Sequence, residues 1–99
     1  MKKVIMVRIY LSENKAHLTQ ILHYLHDENP VRGVTVFRGI TGFGHSGKMH
    51  SANLLDLSLD LPVVLEFFDV PEKVDTVLAY LNDLIAPGHI VCWDAYVNE

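Results

Sequence analysis

Ninety-nine residues, nearly half of them hydrophobic and with a formal net charge of -4, describe one small globular domain. They argue against a nucleic-acid binder, because neutralising phosphates takes clustered Lys and Arg. The single cysteine, Cys92, has no internal disulfide partner, which favours a reducing compartment, with the cytoplasm as the default. Residues 1–11 open on Lys2 and Lys3 as a signal peptide would, yet Arg8 interrupts the apolar run and no small-residue cleavage site follows. Residues 4–11 instead alternate, with Ile5, Val7, Ile9 and Leu11 on one side and Val4, Met6, Arg8 and Tyr10 on the other, which predicts a first strand.

Ser12 and Asn14 are good helix N-caps, and Leu18, Ile21, Leu22 and Leu25 recur at helical spacing until Asn29 and Pro30 stop the turn. A second strand is predicted from about Arg32 to Arg38, where Val34, Thr35, Val36 and Phe37 favour a pleated backbone. Residues 39–57 then show neither helical nor alternating pattern and carry glycines at 39, 42, 44 and 47, which predicts a long functional loop. Residues 61–68 form a third strand with Pro62 tolerated near its start. Asp69 with Glu72 resembles a capping box, Pro71 suits a first helical turn, and Val74, Val77, Leu78, Leu81 and Ile85 form a second apolar stripe. Pro87 and Gly88 end that helix, and residues 89–97 supply the fourth strand, with Val91, Trp93, Ala95 and Val97 on one face.

The order strand, helix, strand, strand, helix, strand predicts an α+β ferredoxin-like sandwich in which one antiparallel four-stranded sheet carries both helices on one face. The opposite face is also largely apolar, whereas a half-solvated sheet should alternate with polar residues. A second copy of the chain is the expected cover. Arg8 and Glu66, each the lone charge of its strand, are expected to pair there, the alternative being that both point to an open edge.

Gly42, Gly44 and Gly47 satisfy the spacing of a dinucleotide fingerprint, but no helix follows them to receive a pyrophosphate. Their amides suit an anion-holding nest, with Arg38 and Lys48 supplying charge. His23 and His26 lie on the polar side of the first helix near Asp27 and read as a solvated face, while His45 and His50 in the loop are weak candidates for metal. Cys92 sits in an apolar strand, where a thiol more often packs than reacts, and no serine has a strained elbow to hold it. Nothing here builds a catalytic mechanism, so the chain is expected not to be an enzyme.

Gly33 to Val36, then Arg38, Gly39 and Ile40, Gly42, Phe43 and Gly44, and Ser58 with residues 60–64 resemble a small bacterial and archaeal family of uncharacterised PII-like proteins. More distantly the chain is similar to nitrogen-regulatory PII proteins, whose strand leads through Gly-Phe-Gly into a mobile T-loop. The resemblance implies a ferredoxin-like homotrimer with sheets turned inward and an adenine nucleotide bound in clefts between subunits. It places Gly39, Gly42, Phe43, Gly44, Gly88 and His89 at the ligand, with Arg38 and Lys48, and further off Arg32, as anion contacts. His89 stands where PII has a phosphate-binding lysine, the last strand lacks the PII arginines, and no tyrosine between Gly39 and Leu57 offers a uridylylation site, so a nucleoside monophosphate is the easier ligand. A membrane transporter or channel is the partner the resemblance implies, since fluoride-channel genes often neighbour those of this family. The function expected is a sensor acting through its glycine loop; the alternatives are a metal-responsive protein using His45 and His50, or a small enzyme with its site between subunits.

Overall fold

In the computed structural model, which describes residues 1–11, 15–43, 50, 51 and 62–99, the chain runs β1 (Lys2–Leu11), α1 (Lys15–His23), β2 (Val34–Arg38), β3 (Thr41–Gly42), β4 (His50–Ser51), β5 (Val63–Asp69), α2 (Pro71–Leu84) and β6 (Ile90–Val97). β2, β5, β1 and β6 form one sheet in that order, with every neighbouring pair antiparallel. This is the expected ferredoxin-like sandwich. No helix among the described residues is long and apolar enough to cross a membrane.

Register decides which side chains meet the helices. Val7 lies opposite Phe67 and Cys92, and Ile9 opposite Leu65 and Ile90. Val7, Ile9, Leu11, Leu65 and Phe67 then pack with Ile21, Tyr24 and Leu25 from the first helical segment and Val74, Val77, Leu81 and Ile85 from the second. Most of these are at most 2% exposed, and full burial of each such side chain contributes about 1.5–3 kcal/mol.

The first helix ends differently from a simple stop at Asn29. After His23 it widens into a π-helical turn, Tyr24–Glu28, closed by the Asn29 N–H donating to the Tyr24 carbonyl at 2.9 Å. The extra residue per turn lets both Tyr24 and Leu25 face the core. Tyr24 stacks on Tyr80 of α2 with ring centroids 3.7 Å apart, which ties the two helices together.

Two expectations about element ends are corrected. β2 begins at Val34 rather than Arg32, and Asp69 is the last residue of β5 rather than a helix cap. Val70 holds the N-cap position without a side-chain bond, and the Asp69 carboxylate instead accepts the N–H of Val70 at 2.7 Å and of Arg32 at 3.1 Å. Asp69 therefore ties the chain leading into β2 to the end of β5. Glu72 remains in the first turn of α2, where its charge suits the positive end of the helix dipole.

Among the described residues the other face of the sheet carries no helix, and its register places Phe37, Val64, Phe68, Met6, Tyr10, Val91 and Trp93 on it. Phe37, Tyr10, Val91 and Trp93 are each between 39% and 50% exposed, so the apolar face deduced from alternation is real. Arg8 and Glu66 face each other across the two central strands, with Nη2 2.6 Å and Nε 3.1 Å from one carboxylate oxygen. They pair, as expected, in the middle of the bare face and not at an edge. Glu66 first, and then Tyr10, hold the Arg8 guanidinium in its charged form above its usual range, and the guanidinium also lies 5.3 Å from the Trp93 ring centre. Val4 shares this face and is nonetheless 2% exposed. Arg32 lies over Phe68 of β5 and pairs with Glu99, which follows β6, so the two side chains bridge the sheet across β1 at its Val4 end.

Candidate functional site

The described residues singled out for ligand binding lie at one end of the sheet, those from Arg38 to Phe43 where β2 finishes and β5 starts. Arg38 lies opposite Val63, and the Gly39 N–H donates to the Pro62 carbonyl at 2.7 Å. A Cβ on Gly39 would meet Pro62 at 3.4 Å, and one on Gly42 would meet the Pro62 ring at 3.2 Å. At Gly39 this is close to ordinary contact, whereas at Gly42 the proline ring would have to give by a few tenths of an ångström, so the loop backbone runs close to Pro62. The segment expected to be irregular is a ribbon at its base: Thr41 pairs with Ser51 and Gly42 with His50 in an antiparallel bridge. Ile40 and Phe43 stand clear at 78% and 69% exposure. Arg38 is exposed and shares its sheet face with Val34 and Val36. Gly44, His45, Gly47 and Lys48 lie outside the described residues, as does the side chain of His50.

The second half of the site is the turn after α2. Gly88 has a φ of +89°, a left-handed conformation that a side chain would strain, and it delivers His89 to the start of β6. There the Tyr10 N–H donates to the His89 carbonyl at 2.8 Å, and His89 Nδ1 lies 3.0 Å from the Tyr10 carbonyl. A carbonyl oxygen only accepts, so Nδ1 is the donor in this contact. Tyr10 thus holds the imidazole through its backbone, a contact 79 residues long in sequence that no local motif announces.

β2 and β6 are the two edges of the sheet, so the loop base and the His89 turn share an end but are separated by β5 and β1. Three strand spacings make about 14 Å. A single small ion does not span both halves. Of the three arginines only Arg38 belongs to this end. Arg8 sits in the middle of the bare face, and Arg32, an outlying anion contact by expectation, is corrected: it lies at the far end, engaged with Glu99 and Phe68.

Elsewhere the titratable groups are accounted for locally. His23 and His26 each place Nδ1 on a different oxygen of Asp27, at 2.8 and 2.6 Å, and all three side chains are at least half exposed. The hydrogen bond with His26 foremost holds the Asp27 carboxyl below the usual carboxylate range; desolvation opposes it, and the charges of His26 and His23 add to the lowering. Among the described residues no group of three His, Cys, Asp or Glu side chains is placed to hold a metal ion. Cys92 is exposed, not packed as expected, because β6 is an edge strand; partial desolvation still pushes its thiol up, away from reactivity.

Comparison with known proteins agrees with this fold. The DUF190 family, described as an uncharacterized ACR, matches residues 4–97. A UPF0166 protein of Aquifex aeolicus is 40% identical over 75% of this chain and 74% of its own. Another, from Methanocaldococcus jannaschii, is 31% identical over 100% of this chain and 95% of its own. Among solved structures, CPII of Thiomonas intermedia K12, a nitrogen regulatory PII-like protein bound to ADP, AMP and bicarbonate, superposes with a TM-score of 0.75. It is 21% identical, over 98% of this chain and 90% of that one, a likeness of fold.

Proposed function

This chain belongs to the DUF190 family, and we propose on that premise that it is a homotrimeric, non-enzymatic sensor of an adenine nucleotide, acting in the cytoplasm on a partner protein through its glycine loop. The observation that carries the proposal is the placement of two glycine-bearing turns, residues 39–43 and residues 88–89, at one end of the sheet about 14 Å apart. Base, sugar and phosphate laid end to end suit that span. The like-folded CPII binds ADP and AMP, which supports the ligand class. Gly39 and Gly42 bring the main chain close to the ligand, with Gly44 continuing the nest; Phe43 is the apolar lid and Arg38 and Lys48 the anion contacts.

The bare sheet face supports the assembly, since an apolar surface with a single ion pair at its centre is stabilised by contact with like surfaces. Turning three such faces inward leaves the open ends at the junctions between copies. The ligand favours the loop conformation that closes over it, and the difference in affinity between closed and open loops biases the equilibrium the partner reads. A membrane transporter or channel is the partner class.

Sedimentation combined with a thermal-shift panel of nucleotides and divalent ions tests the whole reading. A trimer whose melting rises with AMP or ADP, and whose rise disappears in Phe43→Ala, is the expected result. At one hundred times Kd the ligand should add about 2.7 kcal/mol to stability. A lone, stable chain at micromolar concentration overturns the assembly, a zinc or copper shift lost in His45→Ala replaces the nucleotide with metal, and turnover of the nucleotide makes the protein an enzyme.

A further inference from the structure

We propose that Arg8 and Glu66 are the element by which copies of this chain select one another: with the bare faces turned together around a symmetry axis, each guanidinium meets the neighbour's carboxylate as well as its own, and the pairs close into a ring of alternating charge. This deepens the homotrimer reading above and rests on it. The pair is built one-sidedly. Arg8 Nε and Nη2 both lie on a single oxygen, Glu66 Oε1, at 3.1 and 2.6 Å, so Arg8 Nη1 and the second carboxylate oxygen take no part in the contact. The two side chains keep 38% and 20% of their surface exposed, open to a partner approaching the face. Glu66 reaches Arg8 from β5 on one flank, and on the other Trp93 of β6 has its ring centre 5.3 Å from the guanidinium. A charge held from both flanks has little freedom left to lose on association.

Charge complementarity names the occupant as a second copy. Around the pair stand the half-exposed apolar side chains Phe37, Tyr10, Val91 and Trp93. The two charges sum to zero, so a purely acidic or basic partner gains at one group what it loses at the other. A rotated copy of the same face gains at both, because it brings a carboxylate to the guanidinium and a guanidinium to the carboxylate. In another alignment, or against a surface lacking the pair, Arg8 and Glu66 are pressed onto apolar side chains and lose water without a new counter-charge. Exposed on a single chain, such a pair contributes little to stability. Its effect is on choice: apolar contact drives the copies together, and the charges decide which chains meet and in which alignment.

Charge reversal, read by sedimentation and native mass spectrometry, tests this. Arg8→Glu and Glu66→Arg should each assemble about a hundredfold more weakly than the native protein, since each gathers like charges at the centre of the face. Mixing the two variants should recover assembly, because each chain carries the charge the other lacks. Arg8→Glu combined with Glu66→Arg reverses the pair within one chain. That double variant should assemble with itself and stay out of mixed assemblies with isotopically labelled native protein, the label serving because the exchange leaves the mass unchanged. Circular dichroism shows which variants fold, and either arm decides without the other. Free mixing of the double variant with native chains overturns the proposal and leaves the assembly reading intact. So do single variants that assemble as the native protein does, and folded single variants that fail to assemble when mixed. A native protein that sediments as a lone chain at micromolar concentration overturns both readings together.

Discussion

Gly88→Ala separates backbone strain from packing in one substitution. A Cβ at this position would meet nothing within 4 Å, so no neighbour need move, and the whole penalty comes from the φ of +89°. An L side chain in that left-handed region costs about 1–2 kcal/mol. Gly33 is the matched control, because its Cβ would also find open space while its φ lies outside the left-handed range. Gly33→Ala should therefore stabilise the protein by about 0.4–1 kcal/mol, through the freedom it removes from the unfolded chain. The two variants move in opposite directions and end about 1.5–3 kcal/mol apart. In a domain of this size each kcal/mol shifts Tm by about 4–8 °C, so their melting curves should lie about 6–24 °C apart. Urea unfolding followed by circular dichroism measures this, at one chain concentration because association makes midpoints concentration-dependent. Coincident midpoints, or Gly88→Ala above Gly33→Ala, would refute the claim that the turn before His89 is held in a conformation only glycine adopts freely.

Asp69→Ala should lose about 1–3 kcal/mol in the same assay, since the residue is 8% exposed and its two carboxylate oxygens each accept a different backbone N–H; Asp69→Asn keeps one acceptor oxygen but turns an NH2 toward the other N–H, and should recover little of it. Glu66→Gln leaves the Arg8 guanidinium without a counter-charge in the middle of an apolar face. Sedimentation should then find the variant dissociated at concentrations where the native protein is assembled, and an unchanged assembly would remove that face from the interface. Asp27 sets a pH dependence of known sign: a carboxyl held low in the folded state contributes stability above its unfolded pKa and loses it as pH falls through the lower folded value. Below about pH 4, then, the native protein should lose stability slightly faster than Asp27→Asn. The difference is small because the site is exposed and screened, and identical curves would discount the histidine contacts.

The strands and helices were legible because period and spacing are local properties, and what stayed hidden depends on residues distant in sequence. Asp69 with Glu72 reads as a capping box whether the aspartate begins a helix or ends a strand. Pairing opposite Ile5 decides for the strand. Arg32 and Arg38 looked like neighbours, yet an extended backbone carries six residues about 20 Å and puts them at opposite ends of the sheet. Two-residue strands such as β3 and β4 leave no periodic trace, and the Tyr10 carbonyl that fixes His89 belongs to no motif at all. Cys92 misled for a related reason, since an apolar run in an edge strand need not be buried.

Alternation did reveal the bare face, because two helices have one sheet side to cover and the strands carry apolar residues on both. Register turns that surplus into a specific surface. Arg8 stands opposite Glu66 in the pairing that also puts Val7 and Ile9 beneath the helices, and slipping β1 by one residue would send the guanidinium into the core and the two aliphatic side chains onto the bare face. The same pairing that buries the core therefore fixes the ion pair on the outer face, and it brings the Tyr10 backbone level with the His89 turn at the open end.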